Sequence, residues 1–101
     1  MKPVNLVDAI EYQKDAVVSK EILKTSSGTI TLFAFDEGQG LSEHTTPFDA
    51  LIQIIEGEAE ITISGKLHKV LAGEIINLPA NQPHAVKAEK KFKMLLTMLK
   101  G

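Results

Sequence analysis

Residues 38–57 read G-Q-G-L-S-E-H-T-T-P-F-D-A-L-I-Q-I-I-E-G, and residues 73–88 read G-E-I-I-N-L-P-A-N-Q-P-H-A-V-K-A. Each stretch opens on glycine and carries one histidine beside short apolar runs. Alternation with a period of two puts His44, Thr46, Ala50, Ile52 and Ile54 on one face of an extended chain, as long as the chain does not bulge at Pro47. Leu51, Gln53 and Ile55 then occupy the other face. That face is too apolar to stand bare in water, so a covering N-terminal segment or a partner subunit is expected over it. By the same rule His84, Val86 and Ala88 share a face, and the two histidines, about forty residues apart in sequence, can meet inside one barrel.

On either side, Val, Ile and Thr gather in short segments separated by Gly, Pro, Asn or Ser, the pattern of an all-β fold with many tight turns. Strands are expected at Val17–Lys24, Thr29–Asp36, Asp49–Glu56, Glu58–Ser64, Leu67–Leu71, Glu74–Leu78, His84–Ala88 and Phe92–Leu99. Ser26-Ser27-Gly28, Gly38-Gln39-Gly40, Glu56-Gly57-Glu58 and Ser64-Gly65-Lys66 read as positive-φ turns between them. Asn5 to Tyr12 reads as a short N-terminal helix, with Asn5 as its N-cap and Leu6, Ala9 and Ile10 on one face. The regular spacing favours a sandwich or small antiparallel β-barrel.

With 101 residues, the chain is expected to form one domain over 1–101, divided into an N-terminal segment (1–16) and a barrel (17–101). Eleven lysines and no arginine stand against thirteen acidic residues, for a net charge of −2. That balance does not steer a phosphate backbone, and without guanidinium groups nothing clamps a phosphate bidentately, so no nucleic-acid partner is expected. The absence of cysteine excludes disulfides, iron–sulfur clusters and thiol catalysis. No apolar run approaches the ~18 residues of a membrane span, and Asp8, Glu11 and Asp15 interrupt the region where a signal peptide would be apolar. A cytoplasmic protein with no membrane partner is expected.

The two quoted stretches resemble the paired motifs of the cupin superfamily, G-x5-H-x-H-x3-E-x6-G and G-x5-P-x-G-x2-H-x3-N. Gly38, His44 and Gly57 fall in register with the first motif, and Gly73, Pro79 and His84 with the second. The chain is similar to small single-domain cupins of the RmlC-like, conserved-barrel type, whose function is mostly unassigned. The resemblance implies a double-stranded β-helix, a homodimer and a site inside the barrel. Metal-binding members use the positions that are here His44, Thr46, Ala50 and His84. Only the two histidines keep a ligating side chain, so the resemblance implies a degenerate site holding zinc, nickel, manganese or iron weakly or not at all. The second motif also carries Asn81 for Gly and Ala88 for Asn.

Two functions follow from this reading. The first is a small-molecule-binding cupin whose pocket is formed by His44, Thr46, Ala50, Ile52, His84 and Val86. The second is a metal-dependent enzyme of the dioxygenase or isomerase type that uses His44 and His84. Asp49 replaces the missing carboxylate only if a bulge at Pro47 turns it inward, against its parity. Phe33, Phe35, Phe48, Ile54, Ile61, Ile63 and Met94 are further apolar residues that belong either to the pocket or to the core. His68 lies between lysines on a strand and reads as a surface or dimer-facing residue. Ser42, His44 and Asp49 lie too close in sequence, and without a nucleophile elbow, to form a triad. Tyr12, the only phenol, sits outside the motifs, so the tyrosine acid of epimerase relatives has no counterpart. Lys87, Lys90, Lys91 and Lys93 read as a solvated edge.

Overall fold

The computed structural model describes residues 2–100 and contains nine strands: β1 Val17–Thr25, β2 Gly28–Phe35, β3 Gly40–His44, β4 Asp49–Glu56, β5 Glu58–Ile63, β6 Lys66–Leu71, β7 Ile75–Leu78, β8 His84–Lys87 and β9 Phe92–Leu99. They form two antiparallel sheets, one ordered β1-β2-β9-β4-β7 and the other β3-β8-β5-β6. Eight strands match the alternation in the sequence to within a residue or two. The ninth, β3, escapes it because Gly40 to His44 is mostly exposed and only Leu41 packs against the core, so it leaves no period-two apolar signal.

The N-terminal helix expected over Asn5–Tyr12 is corrected to one 3-10 turn, Leu6–Ala9. The Asn5 side chain does cap it, accepting a hydrogen bond from the Val7 N–H at 3.1 Å. The backbone is extended again at Ile10. A segment this short has little helical stability of its own, and burial of Ile10 against Leu32 and Ala34 outweighs further turns. The segment therefore lies across the outer face of its own five-stranded sheet, with Ala9 and Tyr12 beside Ile10, above Leu32, Ala34, Ile55 and Leu95.

Side chains of the two inner faces fill the space between the sheets. Phe35, Ile54, Ala59, Ile61, Phe92 and Met94 are fully buried. The Phe35 and Phe92 rings stack with centroids 4.6 Å apart, closing one end of the barrel. Register carries β4 and β9 away from that end through the pairs Ile54↔Met94, Ile52↔Leu96 and Ala50↔Met98. Inner side chains on β4 therefore shrink to alanine towards the other end, which is left open.

Glycine serves two purposes here. At Gly57, between β4 and β5, φ is +76°, and a Cβ would also come within 2.7 Å of the Lys91 carbonyl oxygen. Gly28 and Gly40 do not take the positive φ expected of turn glycines; they are needed because a Cβ would run into the carbonyl oxygens of Met98 and Val86.

Candidate functional site

His44 ends β3 and His84 begins β8, and the two are direct cross-strand partners. β8 is held on its other side by β5, where Ile63 pairs with His84. Both rings consequently point into the open end of the barrel, His84 buried and His44 exposed at the rim. The rings meet edge to face, with centroids 4.3 Å apart at 70°. Their Nε2 atoms are 3.1 Å apart. The His44 Nδ1 lies 2.8 Å from the Ser42 carbonyl oxygen, and the His84 Nδ1 lies 3.2 Å from that of Gln82. Burial holds the His84 imidazole below the ordinary histidine pKa; the Gln82 carbonyl pulls the other way, and His44 adds to the depression.

The loop after β7 fixes the far wall. The Asn81 N–H donates to the Thr46 carbonyl at 2.7 Å, and the Ala80 N–H donates to the Asp49 Oδ1 at 2.9 Å. Asn81, which stands where the motif has Gly, sits at φ +66° in the left-handed region, which asparagine tolerates better than most residues. Asp49 thus faces the loop and does not enter the barrel.

His44, Thr46, Ala50, Ile52, His84 and Val86 come together around one cavity of about 130 Å³. Leu41, Leu78, Met94, Leu96 and Met98 complete its wall. Of the other apolar residues in question, Met94 lines the cavity, while Phe33, Phe35, Ile54, Ile61 and Ile63 pack in or against the core. Leu96 and Met98 alternate inward on β9 with Phe92 and Met94, a signal present in the sequence, because the opposite parity carries Lys93 and Thr97. Leu41 lies on the strand that had no signal, and His68 is half-buried on edge strand β6, outside the cavity wall.

No carboxylate lines this cavity. Among the described residues no three His, Cys, Asp or Glu side chains stand close enough to share an ion. Two imidazoles on a wall of aliphatic and thioether groups leave a divalent cation short of ligands and its charge uncompensated in apolar surroundings. The residues present do not fit a resident divalent metal.

Lys93 is a residue that the sequence misplaces. It does not belong to the solvated edge: it is 7% exposed, on the outer face of β9 beneath the N-terminal segment. Its Nζ donates to the Val7 carbonyl at 2.6 Å, lies 3.3 Å from the Glu56 Oε2 and sits 4.9 Å from the centre of the Tyr12 ring. The Tyr12 hydroxyl donates to the same Glu56 oxygen at 3.2 Å. Burial, with the Glu56 carboxylate adding to it, raises the Tyr12 pKa and keeps the phenol protonated.

An antiparallel barrel closed by aromatics at one end and opening at the other onto a histidine pair defines the class of fold. Residues 31–99 match the cupin domain model, and the chain belongs to the cupin family. It is similar to a conserved protein of unknown function from Streptococcus pyogenes, with 35% identity and a TM-score of 0.94 over 99% of this chain and 88% of that one. A Cupin 2 conserved barrel domain protein from Leptotrichia buccalis is 41% identical, with a TM-score of 0.93 over 96% of this chain and 47% of the other. A cupin superfamily protein from Desulfitobacterium hafniense is 30% identical, with a TM-score of 0.94 over 99% and 92% of the two chains. The search of curated proteins found no match. Among the described residues no helix is long and apolar enough to cross a membrane.

Proposed function

We propose that this cupin binds a small, largely apolar molecule in the open end of its barrel and does so without a resident divalent metal. The observation that supports this most directly is a cavity of about 130 Å³ whose wall is apolar apart from His44, His84 and Thr46. That combination, a concave apolar surface with a few convergent polar groups, is what small-molecule sites have in common. The size is near that of the ~150 Å³ apolar cavity that takes up benzene in another protein. Melting curves with a panel of compact apolar ligands, alongside elemental analysis of the purified protein, test it. Stabilisation by ligands but not by zinc, nickel, manganese or iron is expected; stoichiometric metal lost on His44→Ala would overturn it.

The same reading includes a homodimer formed by a second copy of this chain on the outer face of the five-stranded sheet. Leu23, Leu51, Ile75 and Leu99 are 53%, 41%, 62% and 59% exposed there, and they share that face by register. Between them on this face stand Gln53 and Thr97, which are polar but uncharged, so a two-fold axis through the centre sets like against like without charge repulsion. Sedimentation showing only an 11.0 kDa species at micromolar concentration would remove the dimer.

A further inference from the structure

The polar groups of the cavity specify more than an apolar ligand. The Ser42 and Gln82 carbonyl oxygens only accept, so the hydrogens in both Nδ1 contacts come from the rings. A neutral imidazole has one N–H, and each ring spends its own on a carbonyl. Both Nε2 atoms are then bare acceptors, and they face each other at 3.1 Å. Three contacts call for three hydrogens, and two neutral rings carry two. Converting one ring to the cation would supply the third, but the wall around the pair holds no carboxylate to balance the charge. Thr46 is the third polar side chain of the cavity. Its Oγ1 accepts from the Phe48 N–H at 3.2 Å, which leaves its own hydrogen free to donate.

From this count, resting on the reading of the cavity as a binding site, we infer that the ligand is an uncharged hydroxyl compound with a compact apolar body. One O–H supplies the hydrogen that the two Nε2 lone pairs lack, and its oxygen accepts from Thr46. No charged side chain lines the wall: Glu43 precedes His44 on β3 and Lys87 ends β8 three residues beyond His84, both outside it, and Asp49 is engaged by Ala80. An anion would meet no cation there and a cation no carboxylate, so burying either costs more than burying a neutral hydroxyl that completes the hydrogen bonds.

Phenol, anisole, toluene and benzoate are the probes, titrated into the intact protein by calorimetry with the imidazole ¹⁵N resonances followed in parallel. Phenol should bind at least about tenfold tighter than anisole and toluene, because of the three only phenol brings a hydrogen to the Nε2 atoms. Its binding should shift the Nε2 resonances of both rings. His44→Ala and Thr46→Val should each weaken phenol binding by a larger factor than toluene binding, and so shrink the preference for phenol over anisole. Equal binding of phenol, anisole and toluene would overturn the hydroxyl inference and leave the cavity reading standing. Tightest binding of benzoate would overturn it by showing that the pair acts as a cation. A stoichiometric complex with zinc or copper(I) alone, the latter drawn by Met94 and Met98, would overturn it as well. Failure of every probe to bind or to move a cavity resonance would remove the cavity reading itself.

Discussion

At the closed end of the barrel Lys93 has three ammonium hydrogens and three acceptors, the Val7 carbonyl, the Glu56 carboxylate and the face of the Tyr12 ring. At the open end His44 and His84 in their neutral forms have two hydrogens for three contacts. Both clusters sit against apolar surroundings, where an unmatched polar group is expensive. A matched one fastens chain to chain, and here Lys93 holds the N-terminal segment on the outer face of β9. A cluster short of one hydrogen does not finish itself within the chain, and at the open rim the missing hydrogen comes from water or from a ligand. The interior follows the same division: stacked Phe35 and Phe92 fill one end, and Ala50 leaves room at the other.

The largest contrast is in packing. Phe92→Ala removes half of the stacked pair from a fully buried position and should cost about 3–5 kcal/mol in chemical denaturation. Ala50→Val, which adds bulk where there is already a cavity, should change stability by less than about 1 kcal/mol while abolishing uptake of toluene-sized probes. Equal losses from the two substitutions would mean that the open end is as tightly packed as the closed one.

Lys93→Met tests the fastening itself. It leaves the Val7 carbonyl and the Glu56 carboxylate without their partner, but Glu56 is 43% exposed at its side chain and can turn to water. The loss should therefore fall below that of a fully buried pair, at about 2 kcal/mol. Amide exchange should accelerate over residues 6–12 and stay slow in β8. Unchanged exchange in the N-terminal segment would show that Ile10 alone anchors it. His44→Ala, by contrast, should cost less than about 0.5 kcal/mol, because the ring is exposed and its Nε2 contact lacks a hydrogen. A loss above about 2 kcal/mol would place the pair among the fastenings.

How far the sequence could be read follows from which signals are local. Period-two alternation located eight strands and put Ala50, Ile52, His84 and Val86 on inward faces, and the glycine-histidine spacing brought His44 and His84 into one barrel. β3 was invisible because an exposed edge strand needs no apolar alternation. Lys93 was misread because its partners, Val7 and Tyr12, lie more than eighty residues away in sequence. A lysine among lysines looks solvated until the topology lays an N-terminal segment over it. The shortage of a hydrogen at the histidines was equally hidden, since it depends on the Ser42 and Gln82 carbonyls, backbone groups that look alike in every sequence.

The smallest effect concerns acid. Burial depresses the His84 pKa below its ordinary value of 6.5, so between the folded and ordinary values the unfolded chain binds more protons than the folded one. Stability should be fully present above that ordinary value and decline as pH falls through it towards the folded value. Urea midpoints from pH 8 to pH 5 should thus fall for the natural chain and fall less for His84→Gln, and the difference between the two reports on His84. A midpoint that rises in acid would have the opposite meaning: the pair would be taking its third hydrogen from solvent, and the two ends of the barrel would be equally complete without any ligand.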